Sequence, residues 1–386
     1  MKLSAFVNGK VLTDRGIESG RAVLVEGARI VEVVDDNDAR VAQADCCDIN
    51  GNILLPGFID TQVNGGGGVL FNADPTLEGI RRIAQAHCRF GTTGLLPTLI
   101  TDDADTMSRA LAAVDAAIEA AIPGILGIHL EGPFLSPERP GIHDRSKIRQ
   151  LAAGDLASLC PSRRGLTLLT VAPEQISAEI IQELRARGFI LMAGHTAGSY
   201  EQIRAGLDAG LRGFTHLFNA MTPLQGREPG AVGAALEDDD CWCGVIVDGH
   251  HVHPASLRVA LRAKAPRKFM LVTDAMPPVG TTMNSFLLGS ETIVCEDGAC
   301  RAANGTLAGS CLDMATAVRN TATLLGLPLA EAARMASAYP AEFLGIQHER
   351  GRIASGCRAD FVLMDERLNV RETWIDGIRR WSDSSA

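Results

Sequence analysis

The stretch Ile125-Leu126-Gly127-Ile128-His129-Leu130-Glu131-Gly132-Pro133-Phe134 decides the fold. It reads as a short buried strand that stops at Gly132-Pro133, with a lone carboxylate as its last residue. Proline does not continue a central strand, and glycine permits the sharp turn that follows. Glu131 is thereby placed at the carboxyl edge of a sheet, where α/β enzymes gather their chemistry. Two later segments end alike on a histidine, Gly194-His195-Thr196 and Thr215-His216-Leu217. One carboxylate and two imidazoles on separate strand ends make a catalytic metal set that leaves a position open for water.

The chain around this stretch alternates strand and helix. Apolar runs of strand length fall at 58–61, 95–100, 125–131, 167–171, 189–194, 213–216, 243–247 and 269–273. Leu77, Ile80, Ile83, Ala84 and His87 recur at helical spacing over 76–90. Met107, Leu111, Val114 and Ile118 do so over 102–121, behind a cap at Thr101 or Asp102. Further helices are expected over 311–345. Strands that alternate with helices form a parallel sheet, and eight of them match a (β/α)8 TIM-like barrel of the α/β class. The two ends read differently. Residues 1–54 alternate apolar and polar positions between turns at Asn8-Gly9, Glu26-Gly27 and Asn50-Gly51, and 359–364 and 370–377 share that pattern. A small β-sandwich formed by both termini, residues 1–54 plus 352–386, is expected beside a catalytic barrel of residues 55–351.

Bulk properties narrow the function. A 386-residue chain with 46% hydrophobic and 21% charged residues is an ordinary globular protein. A net charge of −10 argues against nucleic acid or an anionic membrane as partner. Met1 to Phe6 carries no apolar core of signal-peptide length, and no segment reaches membrane-spanning length. The ten cysteines include no CxxC pair, and only Cys46-Cys47 and Cys241-Trp242-Cys243 lie close in sequence. They read as structural thiols of a cytoplasmic protein.

In a barrel, the carboxyl ends of the strands converge on one mouth. Taken in order, those positions are Gln62, Asn64, Glu131, His195, His216, Asp248 and Asp274. A single strand-end histidine is commonly a structural hydrogen-bonding residue; several on separate strands of one barrel are not so easily explained. Asp274 ends a buried strand and can take and return a proton at a metal-activated water. His129 precedes Glu131 by two residues and so faces the same side one layer deeper, as a packed or supporting histidine. His250-His251-Val252-His253 has a metal-like spacing, yet it lies between the Asp248-Gly249 turn and a helix starting at Pro254, and reads as a loop from which one histidine reaches substrate. Arg227, on a Gly/Pro-rich loop, could join His251 in a cationic site for phosphate.

These motifs, in this order along nearly the whole chain, resemble the amidohydrolase superfamily and, within it, the deacetylases of 6-phosphorylated N-acetyl amino sugars. The landmarks are Leu55-Pro56-Gly57-Phe58-Ile59-Asp60, His129-Leu130-Glu131-Gly132-Pro133-Phe134, Gly194-His195-Thr196, Thr215-His216-Leu217-Phe218-Asn219-Ala220-Met221, Gly226-Arg227-Glu228-Pro229-Gly230, Asp248-Gly249-His250-His251-Val252, Val272-Thr273-Asp274-Ala275 and Gly305-Thr306-Leu307-Ala308-Gly309-Ser310. The resemblance implies hydrolysis of the acetamide of N-acetyl-D-glucosamine 6-phosphate, or of its galacto epimer. It implies Glu131, His195 and His216 as metal ligands, Asp274 as general acid/base, and His143 as the histidine near the reacting carbonyl. Asn219, the Ala220 backbone, Arg227 and His251 match the sugar-phosphate site, and Leu307 the acetyl pocket. One divalent metal ion per subunit is implied, zinc from the ligand types with iron(II) or another divalent ion behind it, and a homodimer that shares phosphate contacts. The superfamily's first strand ends in His-x-His for a second metal; here Gln62 and Asn64 stand there as a vestigial second-metal position, because neutral amides ligate transition metals poorly. The rival expectations are another amidohydrolase acting on a cyclic amide or dipeptide, and a non-catalytic barrel scaffold.

Overall fold

Eight strands lie side by side in chain order in one sheet: β1 Phe58–Val63, β2 Thr92–Ile100, β3 Gly127–Glu131, β4 Leu166–Val171, β5 Phe189–Ala193, β6 Gly213–Phe214, β7 Trp242–Val245 and β8 Phe269–Leu271. The computed structural model describes residues 2–151, 156 and 159–383. The strands are the eight expected stretches, with ends shifted by a few residues, and successive pairs from β2 to β8 are parallel. Every residue of β2 and β3 is buried, as befits strands covered on both faces, and this is why they read as nearly continuous apolar runs. Past the strand ends, the Asp274 amide donates to the Gln62 carbonyl at 3.0 Å and the Gly65 amide to the Ala275 carbonyl at 2.8 Å. The last strand is thus joined to the first, and the architecture is a TIM-like barrel.

The helices expected over 76–90 and 102–121 are Leu77–Cys88 and Ala104–Glu119. The second is capped by Asp103, whose carboxylate accepts from the Thr106 amide, and not by Thr101 or Asp102. Both expected caps are engaged elsewhere: the Thr101 hydroxyl meets His143, and Asp102 accepts from Asn72 and Lys147. An antiparallel sheet of Ser285–Leu288, Glu291–Glu296, Ala299–Arg301 and Leu307–Ser310 has no counterpart among the expected elements.

The terminal strands form two sheets. One is ordered Arg29–Asp35, Arg21–Glu26, Leu3–Val7, Asp45–Asp48. The other joins both ends of the chain, Ile378–Ser382, Val370–Ile375, Phe361–Met364, Ile53–Pro56, Lys10–Thr13 and Gly16–Ser19. Phe6, Val23, Val25 and Ile30 of the first share a core with Val11, Leu54, Phe361 and Leu363 of the second. Phe6 meets Phe361 and Trp374 edge-on at centroid distances of 5.1 and 5.0 Å, the arrangement that ring quadrupoles favour. This is the β-sandwich formed by both termini. By compactness the chain divides into Met1–Asp60 with His87–Gly94 and Asp313–Ala386, and Thr61–Ala86 with Leu95–Leu312. Helices Met314–Leu325, Leu329–Met335 and Ala338–Leu344 therefore group with the terminal strands, whereas the expected boundary at 351/352 leaves them with the barrel. Among the described residues no helix is long and apolar enough to cross a membrane.

Candidate active site

Glu131 is the last residue of β3, and Gly132 turns the chain immediately after it. Gly132 has φ +99, and a Cβ there would come within 2.3 Å of the Thr101 hydroxyl, so only glycine fits. His195, His216 and Asp274 each follow a strand by two or three residues and have φ of +46, +30 and +52. A left-handed non-glycine residue costs ~1–3 kcal/mol, and such strain gathers at functional sites. Three in equivalent positions around one barrel mouth turn their side chains to the same place.

His216 Nε2 lies 2.9 Å and His195 Nε2 3.3 Å from Glu131 Oε1, and the two nitrogens are 3.1 Å apart. All four side chains, Asp274 included, are buried. His195 Nδ1 is 2.9 Å from the Arg139 carbonyl, which can only accept, so Nδ1 carries the proton and Nε2 presents its lone pair. These donors fit a metal ion. A tetrahedral site with bonds of ~2.05 Å has edges of ~3.3 Å, and the Glu131/His195/His216 donor atoms stand close to that spacing. Burial raises the Glu131 pKa, but the contacts with His195 and His216 outweigh it and hold the carboxylate well below its usual range. Burial lowers His216, and the hydrogen bond and charge of Glu131 overcome that and raise it.

Gln62 connects the two carboxylates. Its Nε2 donates to both Glu131 oxygens at 3.2 and 3.1 Å and to Asp274 Oδ1 at 3.1 Å, and Asn64 Nδ2 donates to the same Asp274 oxygen at 2.5 Å. The pair at the second-metal position thus turns amide N–H groups toward the carboxylates. Asn64 Oδ1 is buried with no hydrogen-bond partner among the described residues. Burial first, then the charge of Glu131, push Asp274 up to about 6. Gln62→Ala is expected to weaken divalent-metal affinity about 10–100-fold, the usual effect of losing an outer partner. Competition with a chromophoric chelator reads this; unchanged affinity would mean that the histidines alone hold Glu131.

His143 faces the same cleft, its ring 4.3 Å from that of His195. The Thr101 amide and hydroxyl meet its Nδ1 at 3.3 and 2.7 Å. An amide N–H only donates, so Nδ1 accepts and the proton sits on Nε2. Burial, then the charge of His195, hold His143 well below the usual imidazole value, so it is a neutral hydrogen-bond donor. His129 lies one layer deeper between the Thr98 and Thr170 hydroxyls at 3.2 and 2.8 Å, and burial takes its pKa down to about 4.

The cleft has a volume of about 420 Å³, and Asn219, Ala220, His251 and Leu307 line it with Asn64, Glu131, His143, His195, His216 and Asp274. His251 Nδ1 is 2.6 Å from Asp248 Oδ2, and Asp248 Oδ1 accepts from the His250 and His251 amides, so Asp248 aims the ring. His253 caps the helix Pro254–Ala263, which disposes of the His-x-His spacing as a metal motif. Arg227 is exposed and does not line the cleft of the single chain. Three roles were not read in the sequence: Thr101 setting the His143 tautomer, Asp248 partnering His251, and Arg139 lining the cleft and fixing His195 through its carbonyl. The position of Asp248, three residues before His251, was the one available signal.

A buried Glu/His/His set beside a proton-retaining carboxylate at a barrel mouth narrows the chemistry to metal-assisted hydrolysis. The model of the amidohydrolase family matches residues 53–379. The chain belongs to the amidohydrolase family. This amidohydrolase is 46% identical over 329 residues, 85% of its length and 83% of the other's, to the N-acetylgalactosamine-6-phosphate deacetylase of Shewanella sp. (strain ANA-3). The crystal structure of N-acetylglucosamine-6-phosphate deacetylase from Pasteurella multocida matches it with a TM-score of 0.95 at 34% identity, over 99% of this chain and 100% of that one. A mutant N-acetyl-D-glucosamine-6-phosphate deacetylase from Mycobacterium smegmatis, in complex with N-acetyl-D-glucosamine-6-phosphate, matches with a TM-score of 0.90 at 33% identity over 99% of each chain.

Proposed function

We propose that this amidohydrolase hydrolyses the acetamide of N-acetyl-D-glucosamine 6-phosphate to D-glucosamine 6-phosphate and acetate. The observation that carries the reading is a pair of buried carboxylates on one amide, Gln62, with pKa values pushed apart: Glu131 anionic between two imidazoles, Asp274 retaining a proton up to about pH 6. Such a pair separates a ligand from an acid/base. The deacetylase relatives supply the substrate class.

In this reading Glu131, His195 and His216 hold one divalent ion per subunit, zinc from the ligand types with iron(II) second. When bound, the ion polarises the acetyl carbonyl and lowers the pKa of water. Asp274 takes a proton from the attacking water and returns it to the amide nitrogen, so that the C–N bond breaks with an amine leaving. His143 donates its Nε2–H to the carbonyl oxygen as charge builds there. Leu307 packs against the acetyl methyl; Asn219, the Ala220 backbone and His251 bind the sugar phosphate. Gln62 and Asn64 remain at the second-metal position as positioning amides.

Arg227 acts across a homodimer, reaching the phosphate in the partner subunit's cleft. Its exposure, and that of Leu224 on the same loop, support this placement. Arg227→Ala is expected to raise KM about 10–100-fold, the effect of losing one charge-assisted hydrogen bond, with kcat little changed. Steady-state kinetics read the split; a loss confined to kcat would remove Arg227 from phosphate binding. Ten free cysteines support a cytoplasmic location. The functional division we adopt keeps 55–351 as the catalytic barrel and 1–54 with 352–386 as the sandwich; every proposed site residue falls in the former.

The Shewanella relative favours a second reading, the galacto epimer as substrate. The kcat/KM values of the two phosphorylated epimers decide between them. A clear preference for the gluco compound supports the reading adopted, and a preference for the galacto compound replaces it while keeping the chemistry.

A further inference from the structure

Three cysteines that do not line the cleft meet in space. Cys295 lies on Glu291–Glu296, Cys300 on Ala299–Arg301, and Cys311 directly after Leu307–Ser310. Cys295 and Cys300 are opposed in antiparallel register, and the turn back through Leu307–Ser310 delivers Cys311 to them. The three Sγ atoms lie within 4.8 Å of one another, and those of Cys300 and Cys311 are 3.1 Å apart. All three are free thiols; Cys300 is buried and the other two are half-buried. Their surroundings are apolar, with Leu70, Phe286, Ile293, Ala302 and Ala308 packed around Cys300, together with the thioether residue Met276.

Cysteine is often only a small hydrophobe in such a place. That account does not explain why three sulfurs converge. Contacts with Cys295 and Cys300 also draw the Cys311 thiol below its usual value.

We propose that Cys295, Cys300 and Cys311 form a soft-metal site that takes one cuprous ion in three-coordinate thiolate ligation. Structural zinc and iron–sulfur centres are completed by a fourth ligand. Among the described residues no histidine or carboxylate joins the three thiols within the ligand spacing. An all-sulfur set selects a soft ion, and monovalent copper is a soft ion that three sulfurs can satisfy. Each thiol that ligates releases its proton to solvent. The site lies near the reactive carboxylate along the backbone: the Ser310 amide, one residue before Cys311, donates to the Asp274 carbonyl at 2.9 Å, and the Met276 amide donates to the Ser310 carbonyl at 2.9 Å. An ion on Cys311 therefore stiffens the segment that carries Leu307 and supports Asp274.

The test is an anaerobic titration of the reduced, full-length protein, its divalent ion in place, with cuprous ion against a chromophoric cuprous chelator. Wild type is expected to withdraw one equivalent and Cys46→Ser, at an exposed cysteine, to behave as wild type. Cys300→Ser is expected to lose more affinity than the ~100-fold that removal of an outer partner costs. Because Cys300 is buried, the half-buried Cys295→Ser serves as a second variant with the same expectation, and both keep their copper-free deacetylase activity. No uptake by wild type, or equal uptake by wild type and both variants, overturns the site. Zinc bound at the same cysteines in preference to copper overturns the assignment of the ion.

Discussion

Asp274→Asn is expected to lower kcat about 10³-fold, the scale of a positioned general acid/base, while metal content and fold are unchanged. The substitution is isosteric, and the asparagine carbonyl can still accept from Gln62 and Asn64, whose donors converge on one oxygen of the residue. What disappears is the ability to take a proton. The same reasoning fixes a pH dependence. Asp274 must be ionised to act as a base, so activity is lost as pH falls through its pKa. Burial and Glu131 set that value at about 6, and a cation on the neighbouring ligands, being of opposite charge, moves it down. The acid limb of kcat/KM is therefore expected at or below pH 6. A pH–rate profile checks this, and an acid limb that survives in Asp274→Asn would assign it to another group.

Glu131→Gln is expected to cost activity on a similar or larger scale, because it removes the only anionic ligand of the proposed metal set. Loss of Lewis-acid assistance is worth several kcal/mol, about 10³-fold or more in rate. Unlike Asp274→Asn, this variant should lose its metal, so the two are told apart by elemental analysis of the purified proteins. Chelation of wild type should reproduce the Glu131→Gln phenotype, and divalent ion should reverse it only in wild type. The sign of the pH effect follows from His216. Its pKa is raised by Glu131, and only the neutral ring ligates, so protons compete with the ion more effectively as pH falls. Chelators should strip the metal faster at pH 5.5 than at pH 7.5 (about one unit either side of the usual imidazole pKa). A stripping rate independent of pH would count against His216 as a ligand.

The barrel and the convergence of Glu131, His195, His216 and Asp274 were legible in the sequence because each depends on a local event. Strands β1 to β8 are short apolar runs ended by turn residues, and Glu131, His195, His216 and Asp274 stand where those runs stop. A strand end projects to one mouth whatever the rest of the chain does. What could not be read depends on side chains that meet only after folding. Asp103 displaces the expected helix caps because Thr101 is drawn to His143 and Asp102 to Asn72 and Lys147. The His143 tautomer is set by Thr101, a residue remote from it in sequence. The antiparallel sheet from Ser285 to Ser310 was not read because its strands are only three to six residues long and their apolar residues come in short runs, Phe286-Leu287-Leu288 and Ile293-Val294-Cys295, with no strict alternation to mark them. With that sheet went the cysteine cluster: Cys295, Cys300 and Cys311 have no motif spacing, and only the hairpin register brings their sulfurs together. Gln62 and Asn64 are a related case. Their identity spoke against a second metal, but that they direct N–H groups at Glu131 and Asp274 emerges only when the barrel closes.

The central claim is best tested by acetate release from N-acetyl-D-glucosamine 6-phosphate by the purified, metal-loaded protein, with free amine measured in parallel. Acetate and amine appearing in equal amounts, with unphosphorylated N-acetyl-D-glucosamine turned over far more slowly, is the predicted result. No acetate from either phosphorylated epimer, with metal present in full, would contradict the account.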